Sequence, residues 1–170
     1  LGGNLTLKYL GERGVTVPAA VQGGVAFSTP VDLGPSAHRI DTWTNAHYAF
    51  YFLRKLRQTI RRKAVQHPNA ISTAPLGEIR SLVAFDDAYT APLNGFGDAA
   101  TYYRKASSKP FLPRIERPTL LVNAANDPFL PASSYPFVEA QDHPHFDLEV
   151  PDSGGHVGFV ACSDSGLYWS

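Results

Sequence analysis

Two side chains in this sequence have the types and settings for proton-transfer chemistry, Asp127 and His156. Asp127 stands in Pro118–Pro131 (PTLLVNAANDPFLP), where the apolar run Thr119–Val122 leads into Asn126-Asp127-Pro128. His156 lies about thirty residues further on, in the glycine-rich stretch Ser153–Phe159 (SGGHVGF). An imidazole titrates near neutrality and serves as a general base. A carboxylate on one ring nitrogen fixes its tautomer and stabilises the cation formed when it takes a proton. Each residue alone has an ordinary explanation. Asp-Pro starts turns for purely local reasons, and a lone His is usually structural. The pairing, each residue just past a strand, makes these two the candidate catalytic acid and base.

The other clusters are less suited to chemistry. Asp86-Asp87 could bind a cation, but no ligand partners stand at useful spacing, so a helix cap or buried ion pair is expected. His143-Pro144-His145 lacks the Cys or third His that would complete a metal set, and reads as a surface loop. His38, His47 and His67 are read the same way. No metal ion and no organic cofactor is expected. Gly2-Gly3 is not G-x-G-x-x-G and follows no strand in this chain, so a dinucleotide-binding domain is rejected.

The elements around the pair predict an α/β fold. Thr119–Val122 is rich in Leu and Val without alternation, as in a parallel strand covered on both faces. Phe146–Val150 predicts another strand, and Ala132–Gln141 a helix between the two. Ala19–Phe27 (AAVQGGVAF) predicts a buried strand weakened by Gly23-Gly24. Gly2–Glu12 places Leu5, Tyr9 and Leu10 at near-helical spacing, with Gly11 loosening its end and Gly14 suited to a left-handed cap. A turn is expected at Gly34-Pro35. From Ser36 to about His67 the sequence predicts a long helical insertion, broken by His67-Pro68-Asn69. Ala49, Leu53, Leu56, Ile60 and Ala64 share one face of it, with Arg54, Lys55, Arg57, Arg61, Arg62 and Lys63 elsewhere around it. Such a helix can lie on a membrane surface; more often it is solvated, with its stripe on the core. Leu76–Phe85 predicts a short helix, and Asp98 a cap for a helix over Ala99–Lys105. The sheet's carboxyl edge, where open α/β sheets place their chemistry, therefore carries Asp127 and His156.

Composition sets the class limits. The 170 residues suffice for one domain with a core, and 44% hydrophobic with 18% charged residues is ordinary for a globular chain. Fifteen basic and fifteen acidic side chains cancel, which argues against a dedicated nucleic-acid binder. The single Cys162 allows no internal disulfide, which suits a reducing, cytoplasmic setting. No apolar run approaches the ~18 residues of a membrane span.

A proton relay needs a nucleophile. In the elbow G-x-S-x-G the nucleophile sits on a sharp strand-to-helix turn. Leu1-Gly2 reads as the x-G that follows it, which places the nucleophile immediately before Leu1. The chain is then expected to be a piece of a longer protein, inactive by itself, and cut near Ser170 inside a closing helix.

The sequence resembles the YheT-like branch of the α/β-hydrolase superfamily, related to the abhydrolase-domain lipases and esterases. The likeness rests on LGGNLTLKYLGE, AFDDAYTAPLNGFGDAATYYRKAS (84–107), RPTLLVNAANDPFLP and SGGHVGF. It implies the C-terminal part of an α/β-hydrolase fold: a partial domain over 1–170 with about three parallel strands, flanking helices and a helical cap insertion at about 32–115. It implies Asp127 as triad acid, His156 as triad base and the Leu1 backbone N–H as an oxyanion-hole donor, with the Ser preceding Leu1. Asn126 stands where relatives often carry a second Asp. The implied activity is hydrolysis of a small-molecule carboxylic ester, lipids included. The rivals are an Asp-nucleophile hydrolase of the same fold, and a non-catalytic pseudo-hydrolase that binds lipid or a protein partner.

Overall fold

The structure is a computed structural model and describes residues 2–159. Leu1 and residues 160–170, with Cys162 and the expected closing helix, lie outside the described residues. The chain forms two compact units, one from the residues up to Ser36 and from Ala106 onward, the other from Ala37–Lys105.

The first unit is built on a parallel sheet in the order β1-β2-β3, with β1 at Gly24–Phe27, β2 at Thr119–Val122 and β3 at Phe146–Glu149. Register pairs Gly24 with Thr119 and Phe27 with Val122, then Thr119 with Phe146 and Val122 with Glu149. Helix α1 (Gly2–Arg13) packs Leu7 and Leu10 against Ala26, Leu121 and Phe146, with Val31, Leu112 and Ile115 completing the core. Burying one such Leu stabilises the fold by roughly 1.5–3 kcal/mol. Gly14 follows α1 with φ +48°, the left-handed conformation expected of it.

In this unit three expectations change. The first strand begins at Gly24 rather than Ala19, because residues 18–20 form a turn closed by Val21 N–H donating to Pro18 O. Gly23 and Gly24 permit close packing there: a Cβ on Gly23 would meet Pro118 O at 2.4 Å, and one on Gly24 would meet Leu10 Cδ1 at 2.8 Å. Gly11 lies inside α1 and does not loosen it; its missing Cβ leaves room for Phe111 O, which would be 2.2 Å away. The single helix predicted over 132–141 is a 3₁₀ turn at Ala132–Ser134 and a short helix at Phe137–Ala140, because Pro136 disfavours helical backbone at Tyr135 and donates no hydrogen bond.

In the second unit, α3 (Ala46–Gln66) follows a 3₁₀ turn at Trp43–Asn45. The helix before it, α2 (Leu33–Ile40), takes in Gly34-Pro35, since proline is tolerated in a first turn. The predicted stripe packs as expected: Leu53 and Ile60, with Leu56 beside them, meet Leu76, Ile79, Phe85 and Tyr89. The helix predicted at Leu76–Phe85 is instead a 3₁₀ turn at Ala74–Gly77 and then α4 (Leu82–Phe85), which continues through a π-helical turn at Asp86–Thr90 into α5 (Ala91–Leu93). Ser81 Oγ accepts from Ala84 N, and the Asp41 carboxylate accepts from Leu82 N and Val83 N, which caps α4 twice. Asp98 caps α6 (Ala99–Ala106) through Thr101 N, and Asp87 accepts from Ala99 N. Asp86 accepts from the Tyr103 hydroxyl at 2.6 Å, and burial with that contact raises the phenol's pKa.

Candidate active site

The parallel ladder outlasts its strands. Asn123 N donates to Glu149 O at 3.1 Å, and Ala125 N donates to Pro151 O at 2.8 Å. The chain segments leaving β2 and β3 therefore stay side by side past the carboxyl edge. Asp127 lies two residues beyond that last rung on one segment and His156 five beyond it on the other. This is why residues about thirty apart in sequence meet.

They meet at hydrogen-bond distance. His156 Nδ1 lies 2.9 Å from Asp127 Oδ2. The Asp127 side chain is fully buried, while that of His156 is 35% exposed. A buried carboxylate facing Nδ1 favours the tautomer with the proton there, which leaves the Nε2 lone pair on the opposite side of a ring that solvent can reach. The ring stands edge-on to Phe129, with centroids 4.7 Å apart.

The Asp127 side chain makes a local contact and a long-range one. Its Oδ1 accepts from Phe129 N at 2.9 Å, and its own N–H donates to Ala124 O at 3.1 Å. One carboxylate oxygen thus shapes the Asp-Pro turn and the other faces the imidazole. The turn holds the acid in place for the second contact.

The glycines around His156 have distinct tasks. Gly155 has φ +56°, a left-handed conformation most side chains resist. A Cβ on Gly154 would meet the Phe159 ring at 2.8 Å and Ala124 Cβ at 3.1 Å. Asn126 Oδ1 accepts from Gly155 N at 2.8 Å, so the residue beside Asp127 also ties down the loop that carries His156.

Two positioning residues escaped the sequence reading. Asn123 is fully buried; it accepts from Thr29 N at 2.7 Å and donates to Thr29 O at 3.0 Å and Ser134 O at 2.9 Å. It clasps the exit of β1 to the exit of β2. Asn4 is buried in the first turn of α1, donating to Ala106 O at 2.8 Å and accepting from Ser108 N at 2.9 Å. A polar residue inside or beside an apolar run was the available signal. Gly3 meets the same place: a Cβ there would lie 2.0 Å from Thr29 Oγ1. The N-terminal turn of α1 therefore sits against the segment that Asn123 holds to the carboxyl edge. Tyr135 donates its hydroxyl to Ala124 O at 2.6 Å; burial first, then the charge of Asp127, raise its pKa and favour the donor form.

Leu1, the expected oxyanion donor, lies outside the described residues. His143 Nδ1 accepts from His145 N, a local loop contact. Among the described residues no group of three or more His, Cys, Asp or Glu could hold a metal ion. No helix among them is long and apolar enough to cross a membrane.

A three-stranded parallel sheet flanked by helices is consistent with the C-terminal part of an α/β-hydrolase fold. Over 94% of its length the chain is 34% identical to YheT of Escherichia coli K12, covering 47% of that protein. It is 29% identical over 94% of its length to the mouse phospholipase ABHD3 (39% of that protein) and 29% identical over 99% of its length to a Saccharomyces cerevisiae monoacylglycerol lipase (38%). The sequence is similar to the YheT-like α/β-hydrolases, and it spans less than half the length of these relatives. No family model matches the chain, and no solved structure matches it significantly.

Proposed function

We propose that the protein containing this chain hydrolyses carboxylic esters, lipid esters among them, with His156 as general base and Asp127 as the acid that orients it. The observation that carries this reading is the 2.9 Å contact between His156 Nδ1 and the buried Asp127 Oδ2 beyond the sheet's carboxyl edge. Relatives named phospholipase and monoacylglycerol lipase act on esters of this kind.

The nucleophile in this proposal is a Ser hydroxyl immediately before Leu1, at the turn into α1. The seating of Gly3 against Thr29 supports that position, since it brings the first turn of α1 to the strand exits. The hydroxyl attacks the ester carbonyl while His156 Nε2 takes its proton. The tetrahedral oxyanion faces the Leu1 N–H and the positive end of α1, whose first turn carries no acid to weaken that field. Imidazolium returns the proton to the leaving alcohol, and water then repeats the sequence on the acyl-enzyme. No step calls for a metal or organic cofactor.

The test is turnover of short-chain p-nitrophenyl esters by the full-length protein, with His156→Ala beside it. Loss of turnover in the variant supports the assignment, and an unchanged kcat refutes it.

A further inference from the structure

The neutral overall charge hides a division. Ala37–Lys105 holds ten Lys and Arg against five Asp and Glu, and the rest of the chain holds the reverse. Of those five acids, Asp41, Asp86, Asp87 and Asp98 are occupied by hydrogen bonds within the unit. The basic excess concentrates on α3, which carries six Lys and Arg and no acid.

The apolar stripe of α3 is spent on its own core, so the helix cannot lay that face into a bilayer. What remains outward is unusual for a merely solvated face. Phe50 is 65% exposed and Val65 83%, and both lie in one row with Arg54 and Arg61. Tyr51, Lys55 and Arg62 form the adjacent row, with Lys55 Nζ 5.7 Å from the centre of the exposed Tyr51 ring. Trp43, just ahead of the helix, is also exposed. Between the rows Lys55, Gln58, Thr59, Arg61 and Arg62 line a shallow depression of about 470 Å³. Three cations and an amide around one depression suit a phosphate-bearing headgroup, while the Thr59 hydroxyl is taken up by Lys55 O.

We propose that this outward face of α3 docks the protein on an anionic phospholipid bilayer, with Lys55, Arg61 and Arg62 at the headgroups and Phe50, Tyr51 and Val65 entering the interface. Charge complementarity sets the sign of the partner. The exposed aromatic and aliphatic side chains, set in rows along one helix, favour a lipid surface over a nucleic acid, which gains nothing from Val65. The inference does not rest on ester hydrolysis, because α3 contains neither Asp127 nor His156.

The experiment is flotation of the full-length protein with vesicles of phosphatidylcholine alone and of phosphatidylcholine mixed with phosphatidylserine. Wild type is expected to partition onto the mixed vesicles more strongly, and to lose that preference at high salt. Lys55→Gln/Arg61→Gln/Arg62→Gln should lower partitioning by about a hundredfold, since each basic residue contributes about 1 kcal/mol at an anionic surface. Phe50→Ser should weaken partitioning at every salt concentration. The thermal transition, and turnover of a water-soluble ester, should not change in either variant. Equal partitioning of wild type onto neutral and mixed vesicles would overturn the proposal. So would a triple variant that keeps the serine-lipid preference, or binding of this face to single-stranded RNA in place of vesicles.

Discussion

The loop after β2 and the loop after β3 leave the sheet on neighbouring rungs, yet they hold Asp127 and His156 in different ways. The β2 loop is rigid by construction. Asn123 is buried with three hydrogen bonds, and Asp127 is buried with both oxygens engaged. The β3 loop is held more lightly. Among the described residues His156 rests on one hydrogen bond and one ring contact, on a backbone of glycines tied by Gly158 N to Gly154 O and by Gly155 N to Asn126. In the proposed mechanism a base that takes and returns a proton needs small freedom, whereas the acid that orients it needs none.

The sharpest way to break the comparison is at the ring itself. His156→Ala should lower kcat by about 10⁴–10⁶-fold while leaving the unfolding transition in place, since the ring is partly exposed. A loss below tenfold would detach the imidazole from the chemistry. Asp127→Asn should cost about 10⁴-fold in kcat with little change in stability. Its amide oxygen can still accept from Phe129 N, but its NH₂ would donate to Nδ1 and force the proton onto Nε2. Retained activity would mean that the carboxylate serves only the turn.

The next effects separate the rigid loop from the light one. Asn123→Ala should destabilise the protein by about 3 kcal/mol or more, because it strands three buried backbone groups; the urea midpoint reports this. Gly155→Ala should cost about 1–2 kcal/mol through its left-handed φ, with Gly155→Asn milder. If the loop is tuned for the base, kcat falls more than KM changes. The smallest effect is expected from Asn126→Ala, a fewfold loss in kcat, since one exposed hydrogen bond is worth about 1 kcal/mol. An equal effect from Asn126→Ala and Asn123→Ala would erase the distinction between the loops.

Much of this was legible in the residues. The unalternating run at 119–122 announced a buried parallel strand, the 49–53–56–60 spacing announced the packed stripe of α3, and Asp98 announced its helix. Asp127 and His156 stood out because each follows a strand. The missed features share one cause. Gly23, Gly24 and Gly11 weaken a strand or helix when judged locally, but each is set by a distant backbone or side chain that comes within 3 Å of where a Cβ would be. Asn123 and Asn4 read as ordinary polar residues until their partners arrive from other parts of the chain.

The sequence by itself therefore determined which residue types could do chemistry, where β2 and β3 fall, and which face of α3 is apolar, since these follow from side-chain period and local backbone preference. Only the tertiary structure decided that two parallel exits stay hydrogen-bonded beyond their strands, that one carboxylate serves both a turn and an imidazole, and that a basic, aromatic helix face is left outward. Those outcomes depend on contacts between residues far apart in the chain, and no local pattern encodes them.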